Sequence, residues 1–374
     1  MRILFVSNNY TPYSGGVVSS INSTVTELQK LGHDVTLVTL DFLGAYQDDP
    51  VWVRRIPAIL RFQFRSNYLS VAWRPSYYLK QWILEFKPDI VHVHHPFLLG
   101  AIAVRIAQTL GIRTIFTYHT IYEAYAHNIP LLPTWITRPI IKRLVLSFCR
   151  RVDHIIAPSN GIKHYLHEHG IDNVSVIPSG LRDSFFQQSF MPKKLKKPYD
   201  LLYVGRFTKE KNIPTLLDVV AQLPDEYRCT LVGYGTYTDY LQHYAYSILK
   251  LSPEKVSFVV KPNESTLLSY YCRAHIFVFP SQTDTQGLVL AEAMACSTAV
   301  IAFDGYGQRD IICHAENGFI VHTPDEMKET IQIMFTDPLQ YHMIQKKAYE
   351  TSKNYASINC VKKMVEQYRK VAIG

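Results

Sequence analysis

No CxxC pair occurs in this 374-residue sequence, and its six cysteines (Cys149, Cys229, Cys272, Cys296, Cys313, Cys360) are scattered. That argues against a disulfide framework or a zinc site and for free thiols in a reducing compartment. A GxGxxG fingerprint is missing too. Gly15-Gly16 and Val232-Gly233-Tyr234-Gly235 come nearest and fall short, which leaves a dinucleotide oxidoreductase poorly supported. There is no Asp-x-Asp triplet, so a metal-held diphosphate lacks its usual ligands. No uninterrupted apolar run is long enough to span a bilayer. Met1–Val6 runs straight into a strand pattern without the layout of a signal peptide. Short internal repeats and low-complexity tracts are also lacking.

Acidic residues are scarce in one place. Residues 51–151 hold fourteen Lys and Arg against three Asp and Glu, a balance of +11 within a whole-chain charge of +8. A basic segment of that length suits an anionic partner: nucleic acid, an anionic substrate or a membrane surface. A solvated basic face is the plainer alternative. The length fits two domains, and 47% apolar residues predict large cores.

Short β-branched runs alternate with helical patterns. Strands are expected at Ile3–Ser7, Val35–Thr39, Ile90–Val93, Thr114–Tyr118, Asp153–Ala157 and Ser175–Ile177. The helix after the first strand carries Val17, Ile21, Val25, Leu28 and Leu31 on one face and ends at Gly32. Met191–Pro198 is polar and basic and reads as a linker. The pattern then restarts at Leu201–Val204, Cys229–Val232, Val256–Val260, Ile276–Phe279, Ala299–Ala302 and Phe319–Val321. The fold class is therefore α/β: two tandem doubly wound Rossmann-like domains, expected to face a cleft, with ligands at the carboxyl ends of their strands. From Ser357, Ile358, Val361, Met364, Val365, Tyr368 and Val371 recur at helical spacing.

The richest segment follows Ile276–Phe279. After Pro280-Ser281 comes Asp284-Thr285-Gln286-Gly287, and Gly287 opens a helix containing Glu292. The unpaired amides of a helix start form an anion site, and glycine lets a ligand approach the backbone. A phosphate there would sit between two acids able to grip hydroxyls, which suits a nucleotide sugar. Glu292 lies among Leu288, Val289, Leu290, Ala291, Ala293 and Met294, and a buried acid needs partners. Gly205-Arg206-Phe207-Thr208-Lys209-Glu210-Lys211-Asn212 begins at another strand end, where Arg206 and Lys211 are placed to converge on a diphosphate. Gly15-Gly16 follows the first strand and offers backbone amides to a phosphate, or simply a tight turn. His119 ends the strand Thr114–Tyr118. His92, His94 and His95 are not read as a metal site. The first two share one side of a strand, the third faces away, and no carboxylate cluster is near.

These residues resemble the retaining glycosyltransferases of family four, with the GT-B fold, over nearly the full length. Pro280–Val300 resembles the family's paired-acid signature, with the shorter Asp284 in place of the first glutamate. Gly205–Asn212 is similar to its Gly-Arg…Glu-Lys motif, Gly15-Gly16 to its first-loop glycines, and His119 to its catalytic-centre histidine. Tyr118–His127 resembles a segment of bacterial diacylglycerol glucosyltransferases, and phosphatidylinositol mannosyltransferases share much of the pattern.

The resemblance implies an acceptor domain over residues 1–190 and a donor domain over 191–355. It also implies a final helix over 356–374 that crosses back to the first domain. It implies transfer of a hexose, best read as glucose from a UDP-sugar, to a diacylglycerol-type lipid with retention. Arg206, Lys211 and the helix start with Thr285, Gly287, Leu288 and Val289 would hold the diphosphate. Glu292 would hold the ribose, and Asp284 and His119 the sugar; Gly15, Gly16 and Gly205 complete the binding set. No metal or other cofactor and no nucleic-acid partner is expected. Arg54–Trp82 and Arg138–Arg151 read as a surface for anionic membrane, which implies a cytoplasmic enzyme peripheral on the inner face of the cell membrane. Other readings are a mannosyl- or other hexosyltransferase acting on a different lipid or a polysaccharide, a nucleotide-sugar epimerase of the same fold, and a non-catalytic membrane-binding protein.

Overall fold

A strand covered on both faces needs apolar residues at every position, and Ile276–Phe279 is buried at all four. Runs of this kind build two parallel sheets. The computed structural model describes residues 1–12, 15–43, 49–64, 67–128, 132–187 and 189–373. The chain forms two units: Met1–Gly180 with Ser357–Gly374, and Leu181–Ala356.

The first unit contains β1 (Arg2–Val6), β2 (Asp34–Leu40), β3 (Val53–Ile56), β4 (Ala58–Phe64), β5 (Asn67–Ala72), β6 (Ile90–Val93), β7 (Arg113–Thr117), β8 (His154–Ala157) and β9 (Val174–Val176). Its seven-stranded sheet runs β3-β2-β1-β6-β7-β8-β9, parallel throughout. The winding direction reverses between β1 and β6. The sequence pattern did not reveal β3, β4 or β5. β4 and β5 form a separate antiparallel hairpin that leaves Ile59, Leu60, Phe62, Leu69 and Val71 exposed, so it lacks the alternation of a half-buried strand.

The helix Gly16–Lys30 buries Val18, Ile21, Val25 and Leu28. Val17 packs half-buried against the same core, and Leu31 is exposed beyond the last turn. The helix Ser357–Ile373 adds Val361, Met364, Val365 and Tyr368 to the core built on Ile3, Phe5, Ile21, Val25 and Leu28.

The second unit contains β10 (Tyr199–Val204), β11 (Tyr227–Gly233), β12 (Val256–Val260), β13 (Ile276–Phe279), β14 (Ala299–Phe303) and β15 (Phe319–Val321). The order is β12-β11-β10-β13-β14-β15, again parallel, with the reversal between β10 and β13. The boundary falls at Gly180–Leu181 rather than at 190. The basic stretch expected as a linker lies inside this unit and is tied to it. The Met191 amide donates to Ser297 Oγ at 3.2 Å and the Lys193 amide to Gln345 Oε1 at 3.3 Å.

Candidate functional site

In a doubly wound sheet the loops after the two strands at the reversal diverge to opposite faces and leave a crevice between them. In the second unit those loops are 205–212, after β10, and 280–287, after β13. Several bonds join them. Lys211 Nζ donates to Asp284 Oδ1 at 2.6 Å, Asn212 Nδ2 to the Pro280 carbonyl at 3.4 Å, and Thr283 Oγ1 to the Glu210 carbonyl at 3.5 Å. The sequence placed Lys211 and Asp284 as separate ligand contacts; the tertiary structure makes them an ion pair. Lys211 is only 7% exposed. Breaking such a pair from one side is costly because the remaining charge stays buried. The second oxygen, Asp284 Oδ2, is buried with no hydrogen-bond partner among the described residues, an acceptor that a hydroxyl donor would satisfy.

Arg206 leaves the end of β10 half exposed, its guanidinium 3.8 Å from Glu210 Oε1. The Gly205 amide donates to the Val232 carbonyl at 3.0 Å, and the Phe207 amide to that of Tyr234 at 2.9 Å. The Val232–Gly235 glycines therefore belong to a turn that supports this loop.

Gly287 adopts φ 73°, ψ 43°, a left-handed conformation that favours glycine, and caps the helix Leu288–Ala295 without a side-chain hydrogen bond. The first-turn amides have no partners within the helix. Thr285, Leu288 and Val289 are half-buried beside them. One turn further on, Glu292 Oε2 accepts from the Tyr271 hydroxyl at 2.7 Å. Burial raises the Glu292 carboxyl above its ordinary range, while the Tyr271 hydrogen bond and the Arg182 charge oppose the rise. Burial, reinforced by Glu292, lifts the Tyr271 phenol well above its ordinary value.

Gly307 and Gln308 were not anticipated as supports. The Gly307 amide donates to the Asp284 carbonyl at 3.1 Å, and a Cβ at Gly307 would lie 2.3–2.5 Å from the Gln286 backbone. Gln308, fully buried, donates through Nε2 to the Ser281 carbonyl at 2.6 Å. The available signal was Asp304-Gly305-Tyr306-Gly307, a glycine-rich loop directly after β14. Tyr271 and Arg182 carried no sequence signal.

The first unit places its candidates at equivalent strand ends. Gly15 caps and Gly16 opens the helix that follows β1. The loops after β1 and β6 are joined by Ser7 Oγ to His95 Nδ1 at 3.1 Å and Asn8 Nδ2 to the Phe97 carbonyl at 3.1 Å. His119, after β7, is half-buried, with Nε2 2.9 Å from His94 Nδ1. Burial takes the His119 imidazole down to about 3, with His95 and His92 adding to the effect, so it is neutral near pH 7. His92 is enclosed, its nitrogens 2.7 Å from the Tyr368 and Thr117 hydroxyls. Among the described residues no group of three His, Cys, Asp or Glu is arranged to hold a metal.

Known proteins match this architecture. The model for Glycosyltransferase Family 4 matches residues 14–185, and that for Glycosyl transferases group 1 matches residues 185–351. The chain is 28% identical to an alpha-monoglucosyldiacylglycerol synthase of Streptococcus pneumoniae, covering 94% of this chain and 82% of that one. It is 26% identical to a GDP-mannose-dependent alpha-mannosyltransferase of Mycolicibacterium smegmatis, covering 86% and 84%. The solved sucrose-phosphate synthase of Thermosynechococcus elongatus superimposes with a TM-score of 0.79 at 20% identity, covering 99% and 98%, a likeness that establishes the GT-B fold. With both domain models matched in sequence over residues 14–351 and both sheets wound in the same way, the chain belongs to the family-four glycosyltransferases, enzymes that transfer sugars.

Proposed function

We propose that the chain transfers glucose from UDP-glucose to a diacylglycerol-type lipid with retention of configuration, working peripherally on the cytoplasmic, anionic face of the cell membrane. The reading rests chiefly on the crevice between β10 and β13. There a helix start, two cations and two acids lie on adjoining loops, a set matched to a diphosphate flanked by two polyols. As the glycosidic bond breaks, charge grows on the departing diphosphate. The amides at Leu288 and Val289, with Arg206 and Lys211, supply preorganised positive potential for it without a metal. Glu292 accepts from ribose hydroxyls. Asp284, held by Lys211, offers Oδ2 to a sugar hydroxyl, and neutral His119 serves as an uncharged hydrogen-bonding group toward the sugar. The acceptor hydroxyl attacks from the side the diphosphate leaves and passes its proton to a diphosphate oxygen. Retention agrees with the α-linkage named for the streptococcal relative.

The lipid acceptor is supported by that relative and by the surface of the first unit. The helix Thr134–Cys149 exposes Trp135, Ile140 and Leu144 beside Arg138 and Arg143. The β4–β5 hairpin exposes further apolar side chains; Arg65 lies outside the described residues. Aromatic residues favour the membrane interface, and each cation near an anionic surface adds about 1 kcal/mol. Among the described residues no helix is long and apolar enough to cross a membrane.

The test is incubation with UDP-glucose or GDP-mannose and vesicles of diacylglycerol in anionic or neutral phospholipid, with chelator present. Glucolipid from UDP-glucose, made faster on anionic vesicles and slowed by salt, is expected. Product from GDP-mannose alone would overturn the donor in favour of the mannosyl reading. Conversion of the nucleotide sugar without lipid would favour an epimerase, and loss of activity on chelation would contradict the metal-free mechanism.

A further inference from the structure

We infer that His94 is a positioning residue: its Nδ1–H donates to Nε2 of His119 and fixes His119 as the tautomer protonated on Nδ1. The inference rests on the proposed role of His119 at the sugar.

β6 and β7 are neighbours in the first sheet, so their carboxyl ends bring residues 94 and 119 side by side. The two rings approach at 2.9 Å between His94 Nδ1 and His119 Nε2, with planes 18° apart. On the other side His94 stacks on His92 at 4.5 Å, and Phe5 lies 4.7 Å away. His92 is held in turn by Tyr368 and Thr117. The column gives His94 one orientation.

A neutral imidazole carries a single N–H, and the partner of one nitrogen decides where the proton sits. Only one nitrogen of each ring is protonated here, because burial and the neighbouring histidines hold His94 well below its ordinary value. His94 Nε2 is buried with no hydrogen-bond partner among the described residues. A proton there would create a buried N–H without an acceptor, a rarer arrangement than a buried acceptor without a donor. The His94 proton therefore sits on Nδ1 and is donated to His119 Nε2. His119 must then carry its own proton on Nδ1 and acts through that nitrogen as a donor. His94 touches no reacting atom; it selects the hydrogen-bonding character of the residue that does.

The experiment uses full-length protein labelled with ¹⁵N-histidine. Long-range ¹H–¹⁵N spectra read each tautomer, and His119 is assigned from the signal lost in His119→Asn. Wild type is expected to show His119 protonated on Nδ1. His94→Phe removes the donor and should shift His119 toward the other tautomer. It should also lower kcat about 10–100-fold, the range found when the partner that orients a metal-bound imidazole is removed, with the KM for nucleotide sugar unchanged. His94→Asn, whose amide nitrogen overlays Nδ1, should restore both the tautomer and most of kcat. A wild-type His119 protonated on Nε2 overturns the inference, and that spectrum decides even if His94→Phe fails to fold. A folded His94→Asn as impaired as His94→Phe also overturns it. Full activity in His119→Ala would instead overturn the reading of His119 as a site residue, leaving the tautomer measurement valid.

Discussion

Lowering the pH from 7 to 5 should destabilise the first unit through its enclosed histidines, before carboxylates begin to titrate. His92 is fully buried between Phe5, His94 and Tyr368, and burial lowers its imidazole to about 3. Above the ordinary value of 6.5 both folded and unfolded chains hold it neutral, and stability does not depend on it. Below 6.5 the unfolded chain takes up a proton that the folded chain refuses. Stability is therefore lost as pH falls, until the folded group itself titrates. For a group shifted from 6.5 to about 3, linkage gives a loss of about 2 kcal/mol between pH 7 and pH 5. His119, also lowered to about 3, acts in the same sense, as do His95, lowered to about 4, and His94. Together they can remove several kcal/mol, a large share of the 5–15 kcal/mol typical of a native domain. Urea titrations at half-unit intervals from pH 7.5 to 5, followed by tryptophan fluorescence, measure the slope. His92→Gln keeps polar atoms for Tyr368 and Thr117 but cannot titrate. Its slope near pH 5.5 should be shallower than wild type by about 1.2 kcal/mol per pH unit, the linkage of roughly 0.9 proton. Parallel slopes for the two proteins would refute the reasoning, because His92 would then titrate alike folded and unfolded.

Lys211→Met should destabilise the second unit by up to about 3 kcal/mol, the low end for an enclosed pair because the Asp284 side chain left without its cation is 19% exposed, whereas Lys211→Met with Asp284→Leu should recover part of that loss. Chemical denaturation checks this, and strictly additive losses would refute coupling. Gly307→Ala should lower activity with a modest stability loss, because its Cβ displaces the Gln286 backbone and with it the loop carrying Asp284; unchanged kcat would contradict that role. Nucleotide binding should weaken on acidification at a higher pH than an ordinary glutamate would dictate, since burial raises the Glu292 carboxyl and the protonated form is a poorer acceptor. In Glu292→Gln, binding by calorimetry should be weaker at pH 7.5 and lack this pH dependence. The kcat profile should show no limb from His119 between pH 6 and 8, since burial holds that imidazole at about 3.

Period and punctuation made the two sheets legible. Parallel strands buried on both faces must be apolar throughout, so Leu201–Val204 and Ile276–Phe279 announce themselves. Loops at their carboxyl ends are then the places to look for ligands, which is why Arg206, Lys211, Asp284, Gly287 and Glu292 could be named from the sequence. The β4–β5 hairpin was not legible, because its exposed apolar residues follow no buried face. Nor does local pattern record which residues meet across long separations. Lys211 and Asp284 are 73 positions apart, His94 and His119 are 25 apart, and Gly307 reaches Asp284 and Gln286 only through the order of β13 and β14. Apart from β3 and the β4–β5 hairpin, the strands, the loops at their carboxyl ends and the chemistry those loops carry follow from local periodicity and residue type. Long-range packing was needed to show that Lys211 neutralises Asp284, that Tyr271 braces Glu292 and that burial keeps the histidines uncharged. Pairing and desolvation depend on neighbours that only the folded sheets bring together.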